Sequence, residues 1–278
     1  MHKPVLLDTV LSHLNLKAGD VVLDATVGSG GASEAILTAV GPEGFLIGID
    51  QDQEAIERVQ SRLERIGSNF ILKCSNFRYL DQVLSELNFN RIHAVLFDVG
   101  LSMEQLGDPA RGFSFQLDGP LDMRMDREYV HKTAADLLSR LRPEELASIF
   151  YQFGEERHAR RIAQVIARSR ERTPIQTTAE LKDLIERAAG MRYRVGRIHP
   201  ATRVFQALRI AVNDELGSLE EALPKALHSL RGGGKLAVIS FHSLEDRLVK
   251  HFFIQSARSG EGKIITKKPL CAGDEEVR

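Results

Sequence analysis

The sequence predicts an α/β fold: a parallel sheet covered on both faces and interrupted by a large helical insertion. Three observations carry this reading. Short apolar runs, each ending in a small or acidic residue, begin about every 24 residues through the first hundred positions. Helix-like stretches of a dozen residues fill the gaps between them, as a parallel sheet buried on both faces requires. A fifth run of the same kind follows only about 140 residues after the fourth, so something is inserted between them.

The strands expected from these runs are Val21–Asp24, Phe45–Asp50, Phe70–Cys74 and Ala94–Asp98. The stretch from Gln53 to Ile66 places Ala55, Ile56, Val59, Leu63 and Ile66 at helical spacing, which predicts an amphipathic helix. Lys132–Leu141, Pro143–Phe153, Arg157–Arg170 and Thr178–Ala189 read as four helices of the insertion, with Thr177 or Thr178 and Glu180 as a start signal for the last. Residues 202–230 read as one long helix returning to the sheet, kinked or split at Pro224. The fifth strand, Lys235–Phe241, follows the turn Arg231–Gly234, and Ile264–Thr266 is a candidate last strand.

The chain has 278 residues, 43% of them hydrophobic, enough for a sizeable core and against general disorder. Cys74 and Cys271 fit no disulfide, zinc or redox spacing, and no metal site is expected. No apolar run approaches the roughly 18 residues of a membrane span, and the start lacks the apolar stretch of a signal peptide, so a cytoplasmic protein is expected. The net charge of −1 hides a partition. Residues 1–110 carry −7, residues 111–213 carry +6, and residues 214–278 are neutral.

The first strand runs into Asp24-Ala25-Thr26-Val27-Gly28-Ser29-Gly30-Gly31, followed by a helix pattern. Glycines here permit a tight turn and close approach to a ligand, and the helix start offers free N–H groups. Asp50 ends the second strand 20 residues after Gly30, the place for a carboxylate that binds ribose hydroxyls. Together they predict a nucleotide-like cofactor. Ser33 stands where a dinucleotide fingerprint has its third glycine, and Asp24 would repel a pyrophosphate but suit an ammonium. S-adenosylmethionine is therefore favoured over NAD. Phe77 either packs on the adenine or is a core aromatic.

Residues 98–126 hold six acids among glycines, prolines and methionines, without helix or strand period. Asp98 sits at the carboxyl end of a strand, where open α/β sheets bind ligands, and so long a connector in a compact domain is usually functional. Arg157, Arg160, Arg161, Arg168, Arg170 and Arg172 form a basic run that reads first as a solvated helix face. No acid occurs between 187 and 213, where Arg187, Arg192, Arg194, Arg197, Arg203 and Arg209 surround Tyr193; this stretch is the candidate RNA contact. His242 follows the fifth strand and either meets substrate or satisfies backbone groups, and a helix-surface role is expected for Asn213, Asp214 and Glu215.

The loop 24–31, the run 98–126, the block His199–Ile210, Asn213-Asp214-Glu215-Leu216 and Ser240-Phe241-His242-Ser243-Leu244-Glu245-Asp246-Arg247 resemble the ribosomal RNA small subunit methyltransferase H (MraW) family, in order over essentially the whole chain. The resemblance implies a Rossmann-like class I SAM-dependent methyltransferase with an inserted helical substrate domain. It implies methylation of the exocyclic N4 of a cytidine in the decoding region of bacterial 16S rRNA, on the small ribosomal subunit. It assigns the cofactor to Gly30, Gly31, Ala32, Asp50, Phe77, Asp98 and Gln105, with Asp24 and Gly28 added from the loop itself. Ala32 stands where relatives usually carry His, Leu101–Glu104 replaces a more usual Val-Ser-Ser-Pro, and relatives continue past Arg278 into a short basic tail. The expected division is a SAM-binding domain at 1–110 and 200–278 and an insert at 111–199. Amine methyltransferases often carry Asn/Asp-Pro-Pro-aromatic after strand four. Here Asp98-Val99-Gly100-Leu101 fills the slot, making Asp98 the candidate that orients the amine, with Asp118, Asp122 and His242 as further catalytic candidates. The alternatives are another nucleic-acid or small-molecule methyltransferase, an NAD-linked oxidoreductase and a non-catalytic RNA-binding assembly factor; a homodimer is left open.

Overall fold

The computed structural model describes residues 5–190 and 199–273. The chain divides into two compact units, Met1–Gly100 with Leu216–Arg278, and Leu101–Glu215.

The first unit is a five-stranded sheet in the order β3-β2-β1-β4-β5, parallel throughout. Its strands are β1 (Val21–Asp24), β2 (Phe45–Asp50), β3 (Phe70–Cys74), β4 (Ile92–Asp98) and β5 (Leu230–Ile239). Residue alternation along the strands builds two cores. Val22, Leu46, Ala94 and Leu96 point to one face, under α1 (Leu7–Leu14), α2 (Gly31–Val40) and α3 (Gln53–Leu63). Leu23, Ile47, Ile49, Val95 and Phe97 point to the other, under α4 (Leu80–Glu86) and two helices from the end of the chain. This is the doubly wound, Rossmann-like arrangement that the rhythm of the sequence predicts. β1 and β4 are neighbours, so the chain reverses direction across the sheet between them and opens a crevice at their carboxyl ends.

The second unit holds α5 (Met103–Gly107), α6 (Ala134–Arg140), α7 (Pro143–Gly154), α8 (Ala159–Arg170), α9 (Thr178–Ala189) and α10 (Pro200–Asn213). Phe150, Ile162, Ile166, Leu181, Ile185, Val204 and Leu208 form its core. At Gly154, α7 passes so close to α10 that a Cβ would stand 2.4 Å from the carbonyl oxygen of Arg203. Two last helices, α11 (Glu215–Ser229) and α12 (Ser243–Ser259), lead back to and out of the sheet.

Several expectations change. The units part after Gly100 and after Glu215, not after residues 110 and 199. The physical reason is that Val204, Phe205 and Leu208 of α10 bury in the helical core, and Leu101 packs on it. The stretch 202–230 is not one helix. It breaks at Asp214, which takes a left-handed φ of 48° as the cap of α10, whereas Pro224 lies inside α11. β5 begins at Leu230, and Arg231–Gly234 bulge out between the pairs Ile92–Leu230 and Ala94–Lys235. Residues 264–266 form no strand. Residues 98–126 are ordered: Phe113, Leu121, Met123 and Met125 are core residues of the second unit. No helix among the described residues is long and apolar enough to cross a membrane, and no cluster among them could hold a metal ion.

Candidate active site at the carboxyl edge of the sheet

Of the residues expected to meet the cofactor, Gly28, Gly30, Gly31, Asp50 and Asp98 lie where β1, β2 and β4 end. Gly28 and Gly30 take φ of 51° and 80°, a left-handed backbone open to glycine at little strain. A Cβ at Gly30 would also lie 2.7 Å from Cγ2 of Val59, so α3 presses against the loop. Arg62 of α3 donates to the carbonyl of Ser29 at 2.9 Å and pairs with Glu34 of α2, fixing the loop from outside. Gly31 opens α2, whose first N–H groups face the loop end. Ala32, by contrast, is buried in the core beneath α2, so no side chain is offered there.

Asp50 is anchored by two backbone donors. Its Oδ2 accepts the N–H of Gly28 at 2.7 Å, and its Oδ1 accepts that of Asp52 at 2.9 Å. Each oxygen keeps a further lone pair, the requirement for taking up two ribose hydroxyls. Burial pushes its pKa up to about 6, with the two backbone N–H donors opposing. Asp24 has a different part from the one expected. It is fully buried, Ser33 donates to Oδ2 at 2.6 Å, and Thr26 N–H donates to Oδ1 at 3.2 Å. It braces the turn from within instead of presenting an oxygen to a ligand, and burial raises its pKa to about 7. Phe77 packs edge-on against Phe97 at 5.6 Å, part of the core as well as of the sheet edge.

Asp98 ends β4 at the same edge. Its N–H donates to Thr26 Oγ1 at 2.6 Å, which ties the end of β4 to the glycine loop. Its Oδ1 is buried without a hydrogen-bond partner among the described residues. A buried carboxylate oxygen left unmatched is costly, and this one lies at the carboxyl end of β4, the edge at which open α/β sheets generally take up ligands. Burial, and then the charge of Glu245, raise its pKa to about 7. Sequence reasoning missed Glu245. It is 2% exposed, and its Oε2 accepts the N–H groups of Phe241 at 2.8 Å and His242 at 3.3 Å. His242 caps α12: its Nδ1 accepts the Glu245 N–H at 3.3 Å, and Nε2 lies 3.1 Å from Oε1 of Glu245. His242 is thus engaged in a capping box, its backbone-satisfying reading. The spacing His242-x-x-Glu245 before an apolar run was the available signal. No signal linked Thr26 to Asp98.

Three of the cofactor and catalytic candidates lie in the second unit. Gln105 closes the capping box of α5, its Oε1 accepting the Ser102 N–H at 3.1 Å. Asp118 is exposed and accepts from Ala179 N–H at 3.2 Å, at the start of α9. Asp122 is bound by both Nε and Nη2 of Arg124, at 2.6 and 3.0 Å, and these contacts hold its pKa down against burial. Both acids brace the insert, so Asp98 alone of the expected acids keeps a free buried oxygen. Asn213 is not a surface residue but 6% exposed and bound to buried backbone.

Of the RNA candidates, Arg192, Tyr193, Arg194 and Arg197 lie outside the described residues. Arg203 is half-buried and reaches the carbonyl of Glu155 at 3.5 Å. Arg209 forms a bidentate pair with Glu215, at 2.8 Å on both sides, and this engagement counts against its role as a phosphate ligand. Arg157, Arg160, Arg161, Arg168 and Arg172 are exposed, opposite the buried face of Ile162, Ala163 and Ile166.

The chain is 47% identical to the ribosomal RNA small subunit methyltransferase H of Carboxydothermus hydrogenoformans, over 99% of this chain and 92% of that one. It is 49% identical to the protein of the same name from Syntrophotalea carbinolica, over 99% and 92%. Among solved structures, a SAM-dependent O-methyltransferase from Thermotoga maritima is 23% identical, covering 36% of this chain and 37% of that one, with a TM-score of 0.30. Aeropyrum pernix fibrillarin with bound S-adenosyl-L-methionine is 14% identical, covering 38% and 47%, with a TM-score of 0.27. These structural likenesses are partial, and the assignment rests on sequence. The match to the MraW methylase family spans residues 1–278, and the chain belongs to that family of S-adenosylmethionine-dependent methyltransferases.

Proposed function

We propose that this enzyme methylates the exocyclic N4 of a cytidine in the decoding region of bacterial 16S rRNA, on the small ribosomal subunit in the cytoplasm. The relatives' shared name, at 47% and 49% identity over nearly the whole chain, supports the small-subunit rRNA. The observation that carries the chemistry is the unmatched Oδ1 of Asp98. A cytosine amine is a weak nucleophile because its lone pair is delocalised into the ring. An acceptor on one N4–H localises that pair, so positioning and a hydrogen bond do most of the work.

Bound S-adenosylmethionine supplies the electrophilic methyl group. The chain's own residues do the rest. Asp50 would accept from the ribose hydroxyls, and the N–H groups of the glycine loop and of the start of α2 would hold the carboxylate end. Asp98 Oδ1 accepts from N4, and with a pKa near 7 it can take the proton that N4 must lose. The residues fit the cofactor: an acid at each required strand end and glycine where the backbone must approach.

The test is incubation with labelled S-adenosylmethionine and unmodified small subunits, followed by digestion to nucleosides. Label in N4-methylcytidine is the expected result; label in another nucleoside overturns the reading. RNA affinity is expected to fall steeply with salt, and binding unchanged between low and moderate salt counts against the basic insert as the RNA contact.

A further inference from the structure

We propose that Phe241 is the base-stacking residue of this enzyme, the platform on which the target cytosine lies while its N4 meets Asp98; this rests on the reading of a cytidine target. Of the 13 phenylalanines, Phe241 alone is exposed, at 59%. It stands at the sheet edge beside Asp98. Asp98 pairs in register with Ile239, and Val99 N–H donates to the Ile239 carbonyl at 3.2 Å. Gly100 and Phe241 therefore face each other two residues further on.

Gly100 makes room for the ring. It takes a φ of 116°, and a Cβ there would stand 3.3 Å from Cδ2 of Phe241. The Asn/Asp-Pro-Pro-aromatic motif of amine methyltransferases brings its aromatic from strand four. Here the segment after Asp98 has none, and the ring comes from the neighbouring strand instead. Its mount is rigid, because Glu245 Oε2 holds the Phe241 N–H at 2.8 Å inside the α12 capping box. A paired cytosine hides N4, so the base must leave its stack to react. An aromatic face is the sequence-tolerant surface that compensates for the stacking it loses.

The chain contains no tryptophan, so Phe241→Trp carries a single indole. Labelled as 7-azatryptophan, it can be excited beyond the tryptophans of ribosomal proteins. Addition of unmodified small subunits should quench and shift its emission, and S-adenosylhomocysteine alone should not. In steady-state assays Phe241→Ala and Phe241→Leu should raise KM for the subunit by roughly ten- to a hundredfold. Phe241→Tyr and Phe241→Trp, which keep an aromatic face, should raise KM much less than the alanine and leucine variants, and the affinity for S-adenosylhomocysteine should not change in any variant. An unmoved emission, or a leucine variant as good as the wild type, overturns the proposal. If the wild type forms a methylated nucleoside other than N4-methylcytidine, the cytidine reading fails, and the emission still reports whether a base stacks on this ring.

Discussion

Asp50 Oδ2 and the backbone N–H of Gly28 are hydrogen-bonded at 2.7 Å across 22 positions of sequence. The carboxylate that should bind the ribose is thus also the group that fixes the glycine loop. Removing it should harm both. Asp50→Ala is expected to weaken S-adenosylhomocysteine binding at least about tenfold, from lost charge-assisted hydrogen bonds. Asp50→Asn, with one acceptor oxygen left, should fall between; calorimetric titration distinguishes them.

Gly30→Ala should strain the loop twice, through its φ of 80° and through the 2.7 Å approach to Val59. A loss of about 1–3 kcal/mol is expected, read by urea denaturation. Val59→Ala in the same chain should return part of it, because it removes the clash and leaves the backbone strain.

Asp98→Asn keeps the shape of the edge but replaces an acceptor with a donor. Single-turnover methylation at saturating S-adenosylmethionine should fall by roughly 10²- to 10³-fold, with S-adenosylhomocysteine affinity changed far less. Full single-turnover activity in this variant would remove Asp98 from the chemistry.

The acids at the edge carry a pH signature. Asp98 can take the N4 proton only when ionised, so kcat/KM should rise through a limb near its pKa of about 7. Glu245→Gln removes a like charge and should move that limb to lower pH. Stability should run the other way. Asp24, Asp50 and Asp98 have pKa values raised from 3.8 to about 7, 6 and 7. Between pH 5 and 7 the folded state therefore binds more protons at these groups than the unfolded chain. Their contribution to stability is lost as pH rises. Denaturation of the ligand-free protein between pH 8 and 5.5 should show this contribution, and Asp24→Asn should remove part of it.

Asn213 closes the second unit. Its Oδ1 accepts the Met125 N–H at 2.7 Å, and its Nδ2 donates to the carbonyls of Met123 at 2.7 Å and Arg209 at 2.9 Å. Asn213→Ala leaves these buried groups unmatched and should destabilise the protein by about 2–4 kcal/mol. Asn213→Asp should be no better, since it points a carboxylate at two carbonyls. Calorimetric unfolding of both variants is the check.

The sequence alone determined the sheet, the glycine loop and the interrupted rhythm. These are local patterns: strand alternation, helical spacing and a turn that only glycine enters easily. It also marked Asp50 and Asp98, because both end a strand. Only the tertiary structure decided what each acid does. Asp24 is buried behind Ser33, Asp122 is bound by Arg124, and Asp98 keeps an unmatched oxygen. Three identical letters in the sequence became three different groups because the partner each acid meets in the fold, or its absence, set the charge and the free lone pairs. The break at Asp214 and the site of Phe241 were hidden for the same reason. Helical periodicity runs on past Asp214, and exposure is a property of what the rest of the fold leaves uncovered.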